Sequence, residues 1–229
     1  MRTEGTTQTV DDGLALGTIG VLAAGVVAAY WLVVRPWYRN WGATPAEVDA
    51  QLPGDDLLAD PDGESTMAVT IDAPAGEVWP WLVQLGQGRG GFYSYEWAEN
   101  LVGLDVHNAD RILPAYQDLS VGDTVRLGDP ERWSETRLVV ADLEPNRALV
   151  LRTPAEPTDW TWAFVLAERA DGSTRFVVRS RAKTGSSPVS AALVSALLEP
   201  VASLMTRKML LGVQERVERV ANEPASVTG

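Results

Sequence analysis

Between Gly13 and Val34 the chain carries no charged residue for twenty-two positions, and this run limits what it can fold into more than any other feature. As an α-helix it measures about 33 Å at about 1.5 Å per residue, enough to cross a hydrocarbon core of about 30 Å. Ten of its residues are Leu, Ile or Val, each favouring insertion by roughly 0.3–0.6 kcal/mol. Tyr30, Trp31, Trp37, Tyr38 and Trp41 gather at its C-terminal end, where amphipathic rings suit the headgroup level, and Arg35 and Arg39 stand among them. Pro36 is expected to help close the helix. A buried core helix of this length would show a polar face. A secretory signal would open with basic residues, whereas here Arg2 is set against Glu4, Asp11 and Asp12. The run therefore reads as a retained single-pass transmembrane helix over 13–34, behind an N-terminal tail of 1–12.

Arg35 and Arg39 outnumber Arg2, so the positive-inside rule puts the large C-terminal part in the cytoplasm. Gly13 with Gly17, and Ala24 with Ala28, are small-xxx-small pairs of the kind a homodimer packs through, although an Ala- and Gly-rich span produces such pairs by chance. Residues 35–65 read as an interfacial segment and acidic linker. They are punctuated by Pro45, Pro53, Gly54, Pro61 and Gly63 and carry Glu47, Asp49, Asp55, Asp56, Asp60, Asp62 and Glu64, a stretch that anionic headgroups would repel. Within it, Thr44 and Glu47 around Pro45 predict a short helix with a capping box.

The remainder has the composition of a packed domain, since 45% of the chain is apolar. Absence of cysteine excludes disulfides, thiolate metal sites and cysteine nucleophiles, and the single histidine, His107, excludes a multi-histidine metal centre. A formal net charge of -12 repels nucleic-acid phosphates, which are bound through basic residues. No metal, cofactor or nucleic acid is expected.

Over 66–222 the pattern predicts one α+β domain, with a C-terminal tail at 223–229. Thr66–Asp72 alternates with period two and reads as a strand. Pro74 opens a helix through Trp79, Trp81 and Leu82, with Pro80 expected to kink or shorten it. The glycines at 86, 88, 90 and 91 follow a helix where phosphate loops follow a strand, so they read as a helix-to-helix turn. Ser94 is the expected cap of a second helix through Tyr95, Trp97 and Leu101, ending at Gly103. Strands follow over 123–127, 137–143, 148–152, 159–168 and 173–183, joined by short turns into an antiparallel meander. Ser187 and Pro188 start a last long helix whose stripe is Val189, Leu193, Leu197, Val201, Leu204, Val213, Val217 and Val220, interrupted at Glu199-Pro200. A strongly curved sheet gripping one long helix leaves a gap, and the aromatic residues of one parity, Trp160, Trp162, Phe164 and Phe176, face such a gap and would line a cavity for an apolar ligand.

This order resembles the START/Bet v 1-like superfamily, SRPBCC, with its helix-grip fold. The run from Ala73-Pro74-Ala75-Gly76-Glu77-Val78-Trp79 to Leu85-Gly86 is similar to the first-helix signature of a prokaryotic branch of it, as are Arg89-Gly90-Gly91-Phe92-Tyr93-Ser94-Tyr95-Glu96-Trp97, Asn108-Ala109-Asp110-Arg111 and Val121-Gly122-Asp123. Where that branch often carries glutamate after the proline at 114, this chain has Ala115. The resemblance covers about 66–222 and implies a fold that binds lipids, hormones or polyketides and, in a few members, acts as a cyclase or hydratase. The expected ligand-binding residues are Trp81, Phe92, Tyr93, Tyr95, Trp97, Arg111, Trp160, Trp162, Phe164 and Phe176. Arg111 would meet a ligand carboxylate. For catalysis the candidates are His107 with Asp110 or Glu96, as an imidazole beside a carboxylate. The favoured reading is a bilayer-anchored binding protein for an apolar small molecule, without catalysis. The alternatives are a cyclase- or hydratase-like enzyme using the same cavity and a membrane-associated protein-interaction module.

Overall fold

The computed structural model describes residues 20–133, 136–156, 158–183 and 188–222, the last segment with its first eight residues as backbone only. The tails at 1–12 and 223–229, the Gly13/Gly17 pair, the cap at Ser187 and the side chains of Val189 and Leu193 lie outside the described residues. The chain forms two compact units, Met1–Tyr38 and Arg39–Gly229.

Helix α1, Gly20–Arg39, of which all but Arg39 belongs to the first unit, is long and apolar enough to cross a membrane. Its Val21, Leu22, Val26, Val27 and Leu32 are all exposed. Pro36 does not close it. The turn Tyr30–Val34 widens to π geometry, with the Arg35 N–H donating to the Tyr30 carbonyl, and the helix continues to Arg39. A proline inside a helix removes one N–H and crowds the carbonyl four residues back, and a widened turn relieves both. The Tyr30 and Tyr38 hydroxyls lie 3.1 Å apart, and the Arg35 guanidinium sits over the Trp31 ring at 4.7 Å.

In the second unit, strands β1 (Gly63–Ile71), β2 (Thr124–Arg126), β3 (Arg137–Glu144), β4 (Ala148–Arg152), β5 (Trp160–Glu168) and β6 (Thr174–Ala182) form one antiparallel sheet. Its order is β1-β6-β5-β4-β3-β2. Strands β2 to β6 are a simple meander, closed by β1 returning beside β6, and a register shift between Val140 and Asp142 marks β3. One face of the sheet receives α3 (Ala75–Val83) and the long helix α5 (Pro188–Asn222). Met209, Leu210, Val213 and Val217 of α5, Trp81 and Leu82 of α3, and Met67, Phe164 and Phe176 of the sheet are buried together. Neither Pro80 nor Pro200 ends its helix. The stripe predicted along α5 divides: Val213 and Val217 are buried, whereas Leu197, Val201, Leu204 and Val220 are exposed.

Between α3 and α4 (Glu96–Leu101) the glycine loop forms the expected turn, with Gly86 and Gly91 exchanging backbone hydrogen bonds at 3.0 and 3.1 Å. Ser94 does not cap α4. Tyr95 occupies the cap position, and the Ser94 hydroxyl instead donates to buried Glu99.

Residues 41–59, read from composition as a spacer, run from the β1 edge, where the Ala68 N–H donates to the Trp41 carbonyl, onto the opposite face of the sheet. Helix α2 (Pro45–Asp49) carries the predicted capping box between Thr44 and Glu47. Three arginines of one parity on β6 hold the strap in place. Arg175 binds both oxygens of Glu47 at 2.7 and 2.9 Å. Arg179, 2% exposed, donates to the carbonyls of Glu47, Val48 and Ala50, to Thr66 Oγ1 and to Asp55 at 2.6–3.0 Å, which occupies its whole donor fork. Arg181 meets the other Asp55 oxygen at 2.9 Å. Gly42, at φ 73°, lies so close to β1 that a Cβ there would sit 2.1 Å from the Ala68 carbonyl oxygen. Of the acidic residues that suggested a free linker, Glu47, Asp55 and Glu64 are thus counter-ions of the β6 arginines, and Asp60 and Asp62 pair with Lys183.

Candidate functional site

Along the α5-facing side of β5 the rings of Trp160, Trp162 and Phe164 follow one another at centroid distances of 5.8 and 4.7 Å, and Phe176 of β6 continues the row at 6.4 Å. The two ends differ. Phe164 and Phe176 are fully buried and fill the space beneath α5. Trp160 and Trp162 are half-buried and wall a cavity of about 390 Å³.

Local sequence explains where the space opens. On the same face, Gly63 pairs with Ala182 and Ser65 with Ser180, and these sit beside Trp160 and Trp162 through the β5–β6 register. Two large indoles therefore face a row of side chains no larger than serine, and the helix above supplies Leu198, Ala202 and Met205. Further along, Met67, Val178 and Phe176 take those places, and the gap closes. Polar groups are few: Ser65, Ser180, Ser203 and Thr206, with Arg39, Glu64 and Glu199. The Trp160 Nε1–H donates to Ser180 Oγ at 2.8 Å, which restrains the ring and satisfies its one polar atom. The volume is within the roughly 300–1,000 Å³ typical of small-molecule sites.

Of the ten residues expected to bind a ligand, Trp160 and Trp162 line this cavity. Phe92 packs behind them, 6.1 Å from Trp162. Trp81 and Tyr93 are core residues. The Tyr93 hydroxyl donates to the Trp81 carbonyl at 3.0 Å and accepts from Gln84 Nε2 at 2.9 Å. Burial pushes its phenol upward, away from ionisation. Tyr95 and Trp97 are partners of each other, at 6.4 Å, and Trp97 is 71% exposed. Arg111 is exposed, and it is its carbonyl that is used, by Gln84 at 3.2 Å.

The motif residues that carry the resemblance wire loops together. Gln84, fully buried, also accepts from the Leu113 N–H at 2.8 Å, and Asn108 Oδ1 accepts from the N–H groups of Phe92 and Tyr93 at 3.1 and 2.6 Å. The catalytic candidates lie outside the cavity lining. His107 Nδ1 is 3.1 Å from Glu96 Oε1 and its Nε2 is 3.4 Å from Asp105, with the imidazole 73% exposed. The hydrogen bond to Glu96 raises the pKa of His107, and bonds from the Asn108 N–H and from His107 lower that of Glu96. Asp110 pairs with Arg216 at 2.9 Å. No cluster of three or more acidic or histidine ligands able to hold a metal occurs among the described residues.

Arg39, Ser65, Ser180, Leu198, Ala202 and Met205 are lining residues that sequence patterning did not single out. The signal was present for the strands: Gly63, Ser65, Ser180 and Ala182 share the parity of the aromatic wall, and small residues there leave room.

Solved structures similar to the chain include a Bacillus halodurans protein at 16% identity, with 68% of this chain and 96% of that one covered and a TM-score of 0.42. A Thermobifida fusca protein has 16% identity, 69% and 94% coverage and a TM-score of 0.43. A Polyketide_cyc-like protein of Corynebacterium glutamicum has 16% identity, 71% and 96% coverage and a TM-score of 0.38. No family model matches the chain, and no curated protein does. By its own coordinates the second unit has a helix-grip architecture, a six-stranded antiparallel sheet with a long C-terminal helix against it, and a polyketide-cyclase-like protein stands among its structural neighbours.

Proposed function

We propose that the chain is a membrane-anchored binding protein of the SRPBCC type, its domain on the cytoplasmic side, whose cavity takes a lipid or another apolar small molecule without turning it over. The observation that carries this reading is the cavity of about 390 Å³ between α5 and the small-residue end of the sheet, walled by two indoles. Apolar area removed from water there contributes roughly 25 cal/mol per Å² to binding, and the serine and threonine hydroxyls suit one polar end of a guest. The cyclase or hydratase alternative needs an acid and a base within hydrogen-bond reach of a guest, and His107, Asp110 and Glu96 are not among the residues lining the cavity.

The test is solvent extraction of the purified full chain followed by mass spectrometry, with displacement of a fluorescent polyene fatty acid as the binding assay. Stoichiometric lipid and saturable displacement are expected, with Ala202→Trp, which fills the space from the helix side, weakening binding about tenfold or more, equivalent to about 1.4 kcal/mol. His107→Ala leaves binding unchanged. An unoccupied chain with no saturable signal overturns the reading.

A further inference from the structure

The middle of α5 has two sides with different surroundings. Leu198, Ala202 and Met205 line the cavity. On the other side Leu197, Val201 and Leu204 repeat at helical spacing and are 66%, 57% and 50% exposed, a contiguous apolar stripe open to the surroundings. Three or four large aliphatic residues along one helix face are more than scattered surface apolar residues.

Two further observations specify what covers this stripe. The first is charge. The stripe runs into Arg207 and Lys208. In a chain of net charge -12, with two lysines in all, the basic residues beside an apolar helix face complement anionic headgroups, and this combination marks helices that lie in a membrane interface. The second is connectivity. Arg39 is the last residue of the helix long enough to span a bilayer and also lines the cavity. Trp41, two residues on, carries the Arg207 guanidinium over its ring at 4.7 Å. The place where the span ends and the basic end of the stripe are therefore neighbours within the second unit.

We propose that the Leu197–Val201–Leu204 face of α5, with Arg207 and Lys208 at its edge, lies in the headgroup layer of an anionic bilayer as a second membrane contact, so that the cavity opens onto lipid and its guest enters from the bilayer without crossing water. This deepens the anchored-cavity reading and rests on it.

The chain has no cysteine, so single cysteines can be spin-labelled cleanly. The full chain is reconstituted into phosphatidylcholine–phosphatidylglycerol vesicles with labels at Val201→Cys, at Leu22→Cys in α1 and at Val121→Cys, an exposed position before the opposite edge strand. Collision with oxygen, which concentrates in lipid, is compared with collision with a water-soluble nickel chelate. The expected result is an oxygen-to-nickel ratio at 201 several-fold above that at 121, falling toward it in Lys208→Glu and in vesicles of phosphatidylcholine alone. A ratio at 201 equal to that at 121 overturns the proposal, as does shielding of 201 from both reagents, which would mean a protein partner. The label at 22 reports separately: nickel-accessible there, it refutes the anchor, whereas lipid-buried at 22 with a water-exposed 201 leaves the anchor and removes the second contact.

Discussion

Glu99 is the clearest single-residue liability in the domain. It is 5% exposed, one carboxyl oxygen accepts from Ser94, and the other has no partner. Burial raises its pKa, the Ser94 bond opposes this, and nearby Glu96 adds to it. The folded state therefore holds the Glu99 proton more tightly than the unfolded chain, whose glutamates titrate near about 4.3. The stability this gives is fully present below that unfolded value and is lost as pH rises through the folded one. Glu99→Gln removes the charge and keeps the acceptor for Ser94, so it should raise the melting temperature at pH 7, and the gain should disappear on acidification below about pH 4. Thermal melts of both proteins across pH 3–8 check this, and a gain that persists in acid would contradict it. Glu47 has the opposite setting: the Arg175 hydrogen bond is the main influence holding it at about 2, so the support it lends is present above its unfolded value and fades as pH falls toward 2.

Among the elements, the strap over 41–59 stands or falls with Arg179. Its guanidinium satisfies three carbonyls, Thr66 and Asp55 at once, and Asp55 is itself 7% exposed. Arg179→Ala leaves three carbonyls without their donor and Asp55 with only Arg181 and the Leu52 N–H, and should cost about 3–5 kcal/mol, read as a lower urea midpoint. Arg179→Lys should recover only part, because an ammonium has three donors and no fork. A loss below 1 kcal/mol in Arg179→Ala would show that the strap contributes little. This element also marks what patterning could and could not reveal. The six strands and the long helix were legible because alternation and helical spacing are local properties: β4 is Ala148–Arg152 as read, and β1 begins three residues before Thr66. The strap was not, because acidic residues flanked by proline and glycine look alike in solvent and against buried arginines, and the difference lies on β6, more than a hundred residues away. The site was half legible for a related reason. Strand parity pointed to Trp160 and Trp162, but whether Phe164 lines a space or fills it depends on what α5 places opposite. Tyr93 and Trp81, the aromatic residues nearest the motif, are buried in the core.

For the molecule as a whole, the proposed anchor turns on helix α1. A helix of twenty residues, Gly20–Arg39, with exposed apolar side chains along it holds a protein far more tightly than surface charge does. The full chain should therefore stay in the membrane pellet after washes with alkaline carbonate and with molar salt, and release only in detergent. Release by salt would mean that basic residues alone bind it, and release by carbonate that the helix does not span.

The hollow beneath α5 opens where neighbouring side chains are short. Gly63 has no atom nearer to a prospective methyl group than Glu199 Oε1 at 3.7 Å, so alanine fits there unopposed, and Ser65, Ser180 and Ala182 stand in the same row. On the proposed binding reading, larger side chains along that row should shorten the guest the cavity accepts while every strand pairing stays as it is.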